Sequence, residues 1–274
     1  MGETVPPTAA DRQPIIRLEK VSKSFNGLVV LRKLSLDIDR ARTTVVIGPS
    51  GTGKTVLLKH IVGLLRPDRG RVWFEDAEIT GLSETDLVPI RQRIGFLFQS
   101  NALFDSMTVG DNVAFPLIEQ GFRSETVVAE RCAQVLGVVG LDGLQDKLPE
   151  ELSGGQKKRV ALARAIVLNP EVILYDEPTT GLDPIRADLI NELIIRIQTQ
   201  LHTTAVVVTH DMQSARRVAD RIVMLYDGHL LADTTPEGLR EVTNATVVRF
   251  VEGRATQAEL DQLTGGTVKQ GPGR

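Results

Sequence analysis

Apolar residues recur at two spacings along the chain. Over residues 15–38 they alternate with polar ones (Ile16-Arg17-Leu18-Glu19, then Leu34-Ser35-Leu36-Asp37), and Asn26-Gly27 stands between the two runs. That pattern predicts half-buried antiparallel strands joined by a tight turn, an opening β-subdomain. A β-branched run at 44–47 leads into the glycine-rich segment 48–55 and a helix expected to reach about residue 65. Residues 71–79 read as a second hairpin and 95–98 as a short buried strand. Between 109 and 139 the spacing turns helical, with Val127, Val128, Cys132, Val135 and Val139 approximating one face. After Leu152 the two periods alternate: helix 155–168, strand 172–175, helix 184–200, strand 205–208, helix 212–218. Such alternation predicts a mostly parallel sheet covered by helices, an α/β fold. Asn169-Pro170 stops one helix and Asp211 is placed to cap another. The chain then reads as a hairpin over 221–231, turning at Asp227-Gly228, and as a disordered Gly/Gln/Pro-rich end over 264–274.

Composition narrows the class without fixing it. At 274 residues, 42% hydrophobic and 24% charged, the chain has the make-up of a globular protein with a sizeable core. A formal net charge of -3 argues against a binder that works by bulk attraction to nucleic acid. One cysteine, Cys132, leaves no partner for an internal disulfide or a multi-cysteine zinc site; its place in a helical pattern reads as core. No apolar run approaches the roughly 18 residues that span a bilayer, so a membrane role would need a partner chain. Residues 1–14 lack the apolar core of a secretion signal and read as a flexible tail.

The chemistry concentrates in three segments. Gly48-Pro49-Ser50-Gly51-Thr52-Gly53-Lys54-Thr55 matches a phosphate-binding loop and lies between a strand and a helix, as its mechanism requires. Glycines there let successive N–H groups turn toward phosphate oxygens, Lys54 adds positive charge, and the Thr55 hydroxyl suits Mg²⁺. Val172-Ile173-Leu174-Tyr175-Asp176-Glu177 is an apolar strand ending in two carboxylates. Neighbouring side chains diverge on a strand, so Asp176 is expected near Mg²⁺ and Glu177 near the attacking water; a solvated acidic turn is the plainer alternative. Leu152-Ser153-Gly154-Gly155-Gln156 reads by itself as a helix start, with Ser153 as cap and free N–H groups facing an anion.

Together these segments resemble the ATPases of ABC transporters, with Leu152 to Gln156 as their signature. The resemblance covers about residues 15–231. It implies a P-loop NTPase with an ABC-type core, an antiparallel β-subdomain and a helical signature subdomain over about 100–160. The implied domain is 15–242, followed by a C-terminal extension, 243–274. By the same resemblance the signature of one subunit covers the ATP held by the phosphate loop of the other, giving a homodimer around two Mg-ATP. Gln99 is similar to the glutamine that touches Mg²⁺ and water and reports to the membrane partner. Asp183, in Gly181-Leu182-Asp183, is similar to the residue that links the two sites; it also reads as a helix cap. His210 resembles the switch histidine at the γ phosphate. Phe25 resembles the aromatic that stacks on adenine, with Val30 beside the base, although tyrosine is the commoner family residue there. Arg159, in Gln156-Lys157-Lys158-Arg159, reads either as a nucleic-acid contact or as the basic first turn of the signature helix, and the latter fits the neighbouring motif.

The resemblance sharpens around the signature subdomain. Phe98-Gln99-Ser100-Asn101-Ala102-Leu103-Phe104-Asp105-Ser106-Met107-Thr108-Val109 and Asp111-Asn112-Val113-Ala114-Phe115-Pro116-Leu117 look most like the ATPases of Mla/MCE-type lipid transporters. The stretch 244–253 is similar to the C-terminal extension of that subgroup. Expected partners are integral membrane permease subunits, an MCE-domain substrate-binding protein and small accessory subunits, without nucleic acid. The expected place is the cytoplasmic side of the inner membrane, peripherally attached. An ATPase for amino-acid or other small-solute import remains a rival, and a soluble ABC protein acting on DNA or ribosomes a more distant one.

Overall fold

A computed structural model describes residues 14–255. The expectations for residues 1–13 and 264–274 lie outside the described residues. Strands β1 (Pro14–Phe25) and β2 (Leu28–Asp39) pair antiparallel about Asn26 and Gly27, which both take positive φ (49° and 84°). Only a mirror-image turn of this kind matches the right-handed twist of the strands, and Asn-Gly is the pair that adopts it most easily. Strands β4 (Arg69–Phe74) and β5 (Ala77–Glu78) complete a four-stranded sheet ordered β2-β1-β4-β5.

The second sheet holds β3 (Thr43–Ile47), β6 (Ile94–Leu97), β7 (Val172–Asp176), β8 (Thr204–Thr209), β9 (Arg221–Tyr226) and β10 (His229–Thr234). Its order is β10-β9-β3-β8-β7-β6, and every pairing is parallel except that of β9 with β10. Strands β3, β7 and β8 are buried at every position, which explains why they read as unbroken apolar or β-branched runs.

Alternation along those strands divides the core in two. Val45, Ile47, Ile173, Tyr175 and Val207 face one cluster, shared with helices α3 (Val109–Glu119), α4 (Glu125–Val138), α5 (Gly154–Ile166) and α6 (Pro184–Leu201). Val46, Val172, Leu174, Val206 and Val208 face the other, shared with helix α1 (Lys54–Ile61) and with Leu18, Leu36, Val72 and Phe74 of the antiparallel sheet. Each fully buried Val or Leu in these clusters contributes about 1.5–3 kcal/mol. Cys132 is buried among them, as its pattern implied.

Several boundaries differ from the sequence reading. Helix α1 stops at Ile61, because Gly63 turns to φ 68° and its N–H bonds the His60 carbonyl. The helical stretch 109–139 is two helices: Gly121 (φ 86°) ends the first and Ser124 caps the second. Val127 is therefore exposed on α4, while Cys132, Val135 and Leu136 form its buried face. Helix α2 (Glu84–Arg91) carries Pro89 inside it and was not anticipated, nor was α8 (Ala245–Glu252) in the C-terminal extension. Helix α7 (Met212–Val218) falls where expected. No helix among the described residues is long and apolar enough to cross a membrane.

Candidate functional site

The carboxyl ends of the parallel strands converge on one edge of the second sheet. There β3 runs into the phosphate loop, β6 leads to Gln99, β7 ends at Asp176 and β8 leads to His210. Open α/β sheets bind ligands in the crevice at this edge. A cleft of about 340 Å³ brings together Ser50, Gly51, Gly53, Lys54 and Thr55 of the loop with Gln99, Glu177 and His210, and Val30 of β2 joins its wall. Residues more than a hundred positions apart in the chain thus meet as the sequence motifs required.

The loop allows no bulk at its first position. A Cβ on Gly48 would stand 2.2 Å from the Leu225 carbonyl oxygen of β9, so only glycine lets the chain pass there. Thr52 Oγ1 donates to the Pro49 carbonyl at 2.9 Å and tightens the turn. Lys54, buried at the start of α1, donates to the carbonyls of Gly48 (2.8 Å) and Pro49 (3.0 Å) and stands 3.7 Å from Glu177 Oε1. Burial pulls its ammonium pKa below the usual lysine range, while Glu177 and Asp176 oppose that shift.

Thr55 Oγ1 donates to Asp176 Oδ1 at 2.9 Å. Burial pushes the Asp176 carboxyl above its ordinary value, against the Thr55 hydrogen bond that favours the ion. A hydroxyl and a carboxylate side by side are hard oxygen donors, a set that fits a Mg²⁺ taking the rest of its shell from phosphate and water.

Glu177 lies just past the end of β7, with φ 50°. The divergence of the two carboxylates therefore comes from a left-handed turn and not from strand alternation. For a residue other than glycine this conformation costs of order 1–3 kcal/mol and persists where the surroundings over-determine it. Here the surroundings do: the Glu177 N–H bonds the Val208 carbonyl at 3.0 Å. Its Oε2 accepts from Thr180 Oγ1 at 3.1 Å and lies 2.9 Å from His210 Nδ1. Thr180 was not anticipated; a hydroxyl three residues beyond a carboxylate carries no pattern of its own in the sequence.

The remaining expected residues lie outside the cleft. Ser153 caps α5 through a reciprocal pair, its Oγ accepting from Gln156 N (3.3 Å) and its N–H donating to Gln156 Oε1 (2.9 Å). Leu152 is buried, whereas Ser153 and Gly154 are exposed at the helix start and Gly155 packs near Arg186. Asp183 caps α6 by accepting from the N–H groups of Ile185 (3.1 Å) and Arg186 (3.0 Å). Phe25 closes β1 as a 40% exposed residue, with the Lys23 ammonium 5.5 Å from its ring centroid. Arg159 donates to the carbonyls of Val139 (3.1 Å) and Gly140 (3.0 Å), a structural link between α5 and the end of α4.

The whole chain resembles known proteins. The family described as ABC transporter matches residues 31–180. A probable ribonucleotide transport ATP-binding protein, mkl, of Mycobacterium leprae is 41% identical over 239 residues, 87% of this chain and 69% of its own length. The intermembrane phospholipid transport system ATP-binding protein MlaF of Haemophilus influenzae is 39% identical over 243 residues, 89% of this chain and 92% of its own length. Among solved structures, the ATP-binding cassette MJ0796, a dimer in a post-hydrolysis state with ADP and Pi, superposes with a TM-score of 0.75 at 33% identity, covering 81% of this chain and 98% of that one. These likenesses agree with one another: the chain is a member of the ABC transporter family, an ATP-hydrolysing subunit of a transporter.

Proposed function

We propose that two copies of this subunit close head to tail around two Mg-ATP and drive a separate permease that moves phospholipid or another lipid across the cell envelope. The observation that carries the catalytic part is the convergence of Lys54, the Thr55 and Asp176 pair, the Glu177 and His210 pair, and Gln99 on one cleft.

In this reading the N–H groups of residues 48–53 and the Lys54 ammonium offset phosphate charge, an electrostatic task that needs rigid, preplaced donors. Thr55, Asp176 and Gln99 would hold Mg²⁺, which would supply positive charge to offset that of the nucleotide phosphates. Glu177 orients and deprotonates the attacking water, and His210 fixes the Glu177 carboxylate 2.9 Å away. Phe25 offers a π face to adenine at the edge of β1. The exposed start of α5, Leu152 to Gln156, supplies its helix N-terminus to the γ phosphate held by the other copy, and Asp183 links the two sites. Domain limits of 15–242 for the ATPase and 243–274 for an extension follow the same reading, as does attachment to the cytoplasmic face of the membrane.

The lipid assignment draws on the segments 98–117 and 244–253 and on the likeness to MlaF, whose name gives phospholipid transport. It brings with it an MCE-domain protein and small accessory subunits as partners. Glu177→Gln keeps the phosphate cradle and removes the base. In the complete transporter it should retain ATP binding, drop turnover at least about 100-fold and accumulate a closed dimer. Undiminished hydrolysis would remove Glu177 from this role. ATP-dependent transfer of labelled phospholipid between membranes tests the cargo; stimulation by a small-solute binding protein instead would assign the complex to solute import.

A further inference from the structure

Behind the cleft lies a buried polar cluster that none of the sequence motifs contains. Ser214, 2% exposed on α7, accepts a hydrogen bond from Asn191 Nδ2 of α6 at 3.0 Å. Its hydroxyl donates to Asp211 Oδ2 at 2.7 Å and stands 3.3 Å from Thr179 Oγ1. Each of the three partners flanks a functional segment. Thr179 precedes Thr180, which holds Glu177, and its carbonyl accepts the Leu182 N–H at 3.2 Å in the loop that carries Asp183. Asn191 lies two turns beyond Asp183 on the helix that Asp183 caps. Asp211 follows His210, donates from its N–H to Thr209 Oγ1 (3.0 Å) and caps α7 by accepting from the Gln213 N–H (2.9 Å).

We infer that Ser214 is a positioning residue that joins the Asp183 loop to the His210 turn, so that displacement of one by the other copy resets the Glu177 and His210 pair. The inference rests on the catalytic reading of Glu177 and His210 given above. The two segments leave neighbouring strands, β7 and β8, and continue into different helices, so a contact between α6 and α7 ties their far sides together. A cavity of about 480 Å³ separates the outer parts of these helices and has both Asn191 and His210 in its wall. At the base of that cavity the Ser214 hydroxyl touches both Asn191 and Thr179, while Arg217 reaches Glu192 and Asp188 farther out. Buried polar groups with mutual partners are costly to break one at a time, because each lost bond strands another group without water. Among the described residues Asn191 Oδ1 has no partner, and the side chain is held by the bond from its Nδ2 to Ser214.

The test uses the complete transporter with its permease and the variants Ser214→Ala, Asn191→Ala and the pair together. Ser214→Ala should lower kcat about 5- to 20-fold while KM for ATP, and ATP affinity measured in the Glu177→Gln background, stay within about 2-fold. Asn191→Ala should do the same more weakly, and the double variant should be no slower than Ser214→Ala alone, because both cut one path. Full kcat in Ser214→Ala would overturn the inference. So would a parallel fall of kcat, ATP affinity and thermal midpoint, or multiplicative losses in the double variant, since these mark mere packing. Glu177→Gln and His210→Ala in the same assay separate the two claims: if they hydrolyse ATP normally, the catalytic reading fails, whatever Ser214 does.

Discussion

Gly48 shows how little freedom a phosphate loop leaves its residues. The carbonyl of Leu225 occupies the space any side chain would need, and Leu225 is fixed in β9 by its pairing with Leu230, one residue past the point where β9 leaves β3. Gly48→Ala should therefore destabilise the protein by about 1–3 kcal/mol and weaken ATP binding at least about 10-fold, measured by urea unfolding and nucleotide titration. Glu177 shows the opposite kind of constraint: its backbone is strained, and the strain aims the carboxylate. The loop was legible in the sequence because its chemistry is contiguous, eight residues whose order is the mechanism. The Thr180, Ser214 and Asn191 contacts were not, since each is a common polar residue made significant only by neighbours distant in the chain.

Between Gln99 and α3 the chain is held by side chains of two helices. Asn112, buried on α3, accepts from the Phe104 N–H (2.8 Å) and donates from Nδ2 toward the carbonyls of Phe104, Met107 and Thr108. Arg164 of α5 donates at 2.8 Å to the carbonyls of both Asn101 and Ala102, two successive residues at positive φ. Helix α5 thereby connects the exposed signature end at Ser153 to the loop that follows Gln99. Asn112→Ala, which leaves several buried backbone groups unpaired, should cost about 2–4 kcal/mol in chemical unfolding. It should also reduce permease-stimulated hydrolysis more than basal hydrolysis. A polar residue on the apolar stripe of Val109, Val113 and Leu117 was the available signal for Asn112. Helices α2 and α8 were hidden for a different reason: Pro89 interrupts the first, and the second lies in the stretch 244–253, read only through its likeness to a C-terminal extension.

At the scale of the molecule, the two sheets are also joined at the edge opposite the cleft. Glu75, in the turn between β4 and β5, pairs with Arg40 and with Arg93 Nη1 (2.8 Å), and Arg93 makes a two-pronged contact with Glu171 (2.5 and 2.8 Å). The Arg93 and Arg40 hydrogen bonds pull the Glu75 carboxyl from 4.5 to about 2. A depressed carboxylate stabilises the fold fully above its unfolded pKa near 4.5, and that contribution disappears as pH falls toward 2. With these groups about one-third exposed, screening limits it to about 1 kcal/mol. Glu75→Gln should be less stable than the parent at pH 7 by that amount and equal to it near pH 2, as read from denaturant midpoints across the range.

The central sheet lends alternate side chains of the same strands to both apolar clusters, Val45 and Ile47 to one and Val46 to the other. Neither half of the interior can be wetted alone, because withdrawing β3 from one side withdraws it from both. The two clusters should accordingly lose their packing in one shared transition, which calorimetry and tryptophan fluorescence would show as coincident midpoints.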